Sequence, residues 1–161
     1  MGPRHVSLVI ALLGLAVTGC DSEIALKNAR PRVTWVAVER VPDGDPSCPF
    51  RSCARLTMWL ADVEGDAVDV EARWTGGGAS GDVALAPGSY PLTGLMTRTA
   101  IADDNGVPHM VLWDLADVPA GEVALELTVD DRPYDDARGD TYTTPAIDPD
   151  VGASPVQAQR I

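Results

Sequence analysis

Positive charge, histidine and aromatic rings are all scarce in this chain. Of 161 residues, 12 are Lys or Arg against 24 Asp or Glu, a formal net charge of −12 at pH 7. The only lysine is Lys27 and the arginines are dispersed, so no basic patch can gather phosphates. That argues against nucleic acid as a partner and disfavours anionic headgroups. Histidine occurs only at His5 and His109, too few for a zinc site. No stretch after residue 31 carries a helical period, and no internal repeat is visible. No apolar run reaches the roughly 20 residues that a spanning helix needs. Metal ions and basic protein surfaces remain the natural counterparts of such a charge balance.

What is present begins at the N-terminus. Arg4 precedes an apolar stretch from Val6 to Val17 broken only by Ser7 and Gly14, the layout of a secretory signal peptide. Its end, Val17-Thr18-Gly19-Cys20, resembles the lipobox of bacterial lipoproteins, in which small residues precede a cysteine that receives a diacylglyceryl thioether. Leu is more usual than Val at the first position. The resemblance covers four residues and implies removal of residues 1–19, lipid on Cys20 and a membrane-anchored address in the bacterial cell envelope. The other reading is an ordinary secreted protein cut near Gly19 with a free thiol at Cys20. Asp21 resembles the inner-membrane retention signal of enteric bacteria, and both inner and outer membrane stay open. Residues 20–31 then read as the lipidated cysteine and a polar linker.

With lipid on Cys20, the remaining cysteines form an even pair in an oxidising compartment. Cys48-Pro49-Phe50-Arg51-Ser52-Cys53 closes a short loop and is expected to carry a structural disulfide. A redox pair would usually have two intervening residues and a helix N-terminus.

Residues 32–147 read as short strands separated by Gly, Pro and Asp. The strands are expected at 32–41, 55–61, 68–75, 82–86, 96–102, 108–115, 122–130 and 141–147. Val68, Val70, Ala72 and Trp74 should face inward against Asp69, Glu71, Arg73 and Thr75, while Leu56, Met58 and Leu60 share one face, as do Val123, Leu125, Leu127 and Val129. Gly76-Gly77-Gly78-Ala79-Ser80-Gly81 reads as a flexible turn and not a phosphate loop, because no helix follows. Residues 148–161 read as a disordered tail. The fold class is therefore all-β, a two-sheet antiparallel sandwich of about seven or eight strands.

Within that frame, Leu60-Ala61-Asp62-Val63-Glu64-Gly65-Asp66, Val111-Leu112-Trp113-Asp114 and Val118-Pro119-Ala120-Gly121-Glu122 resemble segments of immunoglobulin-like and fibronectin type III-like domains of bacterial surface proteins. The resemblance spans residues 54–147. It implies an adhesion, spacer or docking module, and a fold specifies no activity.

Candidate chemistry is sparse. His109 falls in line with Val111, Trp113 and Leu115, a core or core-edge position around which no nucleophile and orienter assemble. Carboxylates are too abundant for any one pair to mark a glycosidase. Arg138-Gly139-Asp140 matches the tripeptide read by integrins, a weak signal without context. In an immunoglobulin-type sandwich three loops share one pole, and with 82–86 counted as an extra strand all three are acidic here: Asp62, Glu64 and Asp66; Asp103, Asp104 and Asn105; Asp130, Asp131, Asp135, Asp136 and Asp140. One reading is a solvated acidic pole with Asp serving as turn former. The other is a calcium site, since calcium takes six to eight oxygens of these kinds. The first strand would start at that pole, setting it nearer the membrane, with the Cys48–Cys53 loop at the other end presenting Phe50 and Arg51 as an interface. The expected function is non-enzymatic: a lipid-anchored envelope module that binds or spaces a protein or polysaccharide partner, requiring no cofactor. The alternative is a calcium- or carbohydrate-binding accessory domain.

Overall fold

The computed structural model describes residues 29–97, 105–131 and 139–161. Nine strands form among them: β1 (Arg32–Arg40), β2 (Cys53–Ala61), β3 (Asp69–Gly76), β4 (Ala79–Asp82), β5 (Val107–Asp114), β6 (Val123–Asp130), β7 (Thr141–Thr143), β8 (Ala153–Gln157) and β9 (Gln159–Arg160). They build two antiparallel sheets, ordered β5-β2-β1-β8 and β4-β3-β6-β7-β9. The first, second and fifth strands lie in one sheet and the third, sixth and seventh in the other, which is the immunoglobulin-like arrangement.

Alternation explains the core. Leu56, Met58 and Leu60 of the first sheet and Ala72, Trp74, Leu125 and Leu127 of the second are buried in one cluster with Trp113. Their outward neighbours carry the charge, as in the directly paired Arg73 and Glu126. In β1 the register slips between Val33 and Trp35, so Thr34 is an extra residue against β2. Its hydroxyl oxygen lies 3.3 Å from the Trp59 carbonyl oxygen, and Val36 and Val38 resume the inward row.

Three segments differ from the reading of the sequence alone. Most of the glycine-rich run is strand: β3 and β4 form a hairpin turning at Gly77 and Gly78, at φ 57° and 78°. Two successive positive φ angles suit a turn matching strand twist, and glycine adopts them freely. Gly81 faces Trp74, whose ring would lie 2.9 Å from a Cβ there. Second, of residues 82–86, expected as a strand of their own, Asp82 ends β4 and 83–86 cross between the sheets. The Val83 amide donates to Ala72 of the second sheet, while the Ala86 amide donates to Leu112 of the first and Leu85 bridges Trp113.

Third, the tail expected to be disordered is ordered strand. β8 adds to the edge of β1 and β9 to the edge of β7, with Val156 and Ala158 packed against the core. Low apolar content hid this, because two open edges supply backbone partners that composition does not reveal. The 141–147 strand is shorter than expected, ending at Thr143, with Ile147 returning to bridge Val123. Of the 96–102 strand, residues 98–102 lie outside the described residues. Leu95, just ahead of it, bridges Val68 beside β3.

Candidate functional site

The start of β1 gathers all three acidic loops. The Glu64 carboxylate accepts the Ala29 amide at 3.3 Å. The Asn105 side chain accepts the Trp35 indole N–H at 3.1 Å, and its carbonyl accepts the Thr34 hydroxyl. Asp140 is clasped from two sides, by Arg30 at 2.7 Å and by Arg160 at 3.0 Å. Burial alone would raise its pKa, but the Arg30 hydrogen bond and the charges of Arg160 and Arg30 outweigh it and hold the carboxyl below its usual range. Burial, then the Asp140 charge, pushes the neighbouring Tyr142 phenol upward.

Three carboxylates of the pole, those of Glu64, Asp140 and Asp62, have a structural task. Asp62 is 1% exposed. One of its oxygens accepts the Asp66 amide at 2.9 Å, closing the 62–66 loop, and the Asp66 carbonyl accepts the Thr97 hydroxyl at 2.5 Å. Asp130 and Asp131 are buried at the end of β6. Among the described residues no three His, Cys, Asp or Glu side chains are placed to hold a metal ion. Asp103 and Asp104, expected in that set, lie outside the described residues, as do Asp135 and Asp136. Of the Arg138-Gly139-Asp140 tripeptide, Asp140 is the member tied down by the two arginines.

At the opposite pole Cys48 and Cys53 form a disulfide with their Cα atoms 5.9 Å apart. Asp45 braces this loop: its carboxylate accepts the Ser47 hydroxyl at 2.6 Å and the Ser47 amide at 2.8 Å. Those two hydrogen bonds, assisted by Arg55, lower its pKa against a smaller opposing effect of burial. At the loop tip Arg51 is exposed but Phe50 is half-buried, so of the expected interface pair the cation is the more accessible member. Cys20 lies outside the described residues.

Two surface features were not read from the sequence. A groove of about 500 Å³ opens beside β5, between Tyr90, Pro91, Leu95 and Met96 on one side and His109 and Met110 on the other. Within it His109 Nε2 lies 2.6 Å from the Met96 carbonyl oxygen, so the half-buried imidazole pins the 90–97 segment to β5. Alternation could have signalled this groove, because Met110 is an apolar residue on the face opposite Val111. A polar hollow of about 310 Å³ lies on the outer face of the second sheet among Glu71, Arg73, Glu126, Thr128 and Thr141. No protein-family model, curated protein or solved structure matches the chain.

Proposed function

We propose that the chain is a non-enzymatic lipoprotein of the bacterial cell envelope, held on a membrane through Cys20, whose sandwich binds or spaces a protein or polysaccharide partner. The observation that carries this reading is the partition of three cysteines. Cys48 and Cys53 are bonded to each other, which leaves Cys20 as the odd one, at the end of a lipobox-like sequence. An unpaired thiol in an oxidising compartment would be a liability, and lipidation removes it. The resemblance to immunoglobulin-like modules of bacterial surface proteins agrees with the strand order and supplies the spacer or docking role. Because Arg30 meets Asp140 at the acidic pole, a tether from Cys20 would reach the sandwich there and turn the Cys48–Cys53 loop outward. The test is membrane fractionation and intact mass of the full chain beside Cys20→Ala. Lipid mass on the parent and release of the variant are expected; a soluble, unlipidated parent would end this reading.

A calcium-binding accessory role is the second reading, favoured by one observation. The other oxygen of Asp62, Oδ1, is buried and accepts no hydrogen bond, an uncompensated position that a cation would relieve. Calcium titration of the full chain, read by melting temperature, decides it. A rise of several degrees that Asp62→Asn abolishes would establish the site, and equal melts with calcium and with chelator would leave the plain acidic pole.

A further inference from the structure

We infer that the groove beside β5 is a reversible sulfoxidation site, with Met96 and Met110 as the modified residues. Of the methionines in the described residues, Met58 is in the core and 0% exposed, whereas Met96 is 73% and Met110 57% exposed. The exposed pair is not scattered: both line the same groove. The contact between His109 and the Met96 carbonyl holds the Met96 backbone beside the strand that carries Met110. Tyr90, 78% exposed, with Pro91 and Leu95, supplies the rest of an apolar wall. Methionine is polarizable and adaptable in such a place, and with Cys48 and Cys53 already joined as a disulfide its exposed thioether is open to two-electron oxidants.

The oxidant class is a peroxide. The thioether sulfur attacks one oxygen of hydrogen peroxide and the O–O bond breaks. The departing oxygen keeps its hydrogen and takes the one from the transferred oxygen, leaving as water. Sulfur is oxidised, the peroxide is reduced, and no other reactant is needed. Each sulfoxide puts a strong acceptor oxygen where a flexible apolar side chain stood, so two of them turn the groove polar without touching the core. Methionine sulfoxide reductases reverse the step, one enzyme for each sulfoxide epimer, provided the side chains are within reach.

The test is dilute hydrogen peroxide on the folded full chain, with peptide masses followed in time at Met58, Met96 and Met110, then treatment with both reductases without denaturant. Met96 and Met110 are expected to gain one oxygen at least roughly tenfold faster than Met58 and to be restored in the folded chain. Equal rates at all three would mean that oxidation follows unfolding. Slow reaction at either groove methionine, or repair only after denaturation, would mean that the groove is closed. Any of these overturns the inference. Met58→Leu guards the comparison: if the groove rates stay as in the parent, they do not follow damage to the core.

Discussion

The two poles of the sandwich face the same problem, the closing of loops beyond the ends of the sheets, and solve it with different chemistry. At the acidic pole, closure runs through charge: Arg30 and Arg160 converge on Asp140, joining the approach to β1, the residue before β7 and the C-terminal strand β9. At the other pole, closure is covalent, through Cys48–Cys53, with Asp45 and Ser47 folding the loop beneath it. The C-terminal segment touches both. It leaves the disulfide pole at a turn where Arg40 lies 3.5 Å from Asp150, runs along β1 as β8 and ends with Arg160 on Asp140. The difference teaches which perturbation separates the poles: reductant acts on the disulfide pole alone, whereas acid reaches both.

Removing residues 153–161 should have the largest effect, because it acts on both poles. It deletes the β8 and β9 pairings, the packing of Val156 and Ala158 and one arginine of the clasp. A loss of about 3 kcal/mol is expected from the apolar contacts and hydrogen bonds together, measured by urea denaturation. It should also bring a tendency to self-associate in sedimentation through the bared edges of β1 and β7. An unchanged midpoint would show that the segment merely rests on the sandwich.

Reduction, or the double change Cys48→Ala with Cys53→Ala, should come next. A loop this short stabilises by about 2 kcal/mol through restriction of the unfolded chain. Melting with and without reductant checks it, and the double variant should be insensitive to reductant. If the contrast between poles is real, limited proteolysis of the reduced protein should cut within 42–52 first, with the acidic-pole loops no more exposed than before.

Much of this organisation was legible beforehand. The inward rows of β2, β3 and β6 follow from strict alternation, and the disulfide from an even cysteine pair. The convergence of acidic loops at the start of β1 follows from the immunoglobulin-like order. What escaped depends on partners distant in sequence. The pairing of β8 with β1 needs the open edge of a strand more than a hundred residues earlier, and a Pro, Gly and Gln composition masks it. The clasp on Asp140 likewise joins Arg30 and Arg160 across nearly the whole chain, and no local pattern encodes that. The groove beside β5 needs two segments brought together by His109, although Met110 alone, apolar on the outer face, was a usable sign.

Asp140→Asn is the finest probe of the comparison, because it removes the charge at one pole while keeping the shape. The two arginines are well exposed, 61% and 67%, so water screens the pairs and a loss of about 1 kcal/mol is expected, falling further in high salt. The pH dependence carries a definite sign. The folded carboxyl has a lowered pKa, so between that value and the ordinary one the unfolded chain binds more protons, and stability rises with pH. Its contribution is complete above the ordinary carboxylate range and disappears as pH falls through the lowered folded value. Asp45 is lowered as well, by the Ser47 hydroxyl and amide, so acid should act on both poles while reductant acts on one. Asp140→Asn and Asp45→Asn should each flatten part of the acid limb in a plot of denaturation midpoint against pH, and together flatten more than either alone. Additive flattening would mean that the poles titrate independently. A shared effect would mean that the C-terminal segment couples them, and in that case truncation at residue 152 should abolish the coupling.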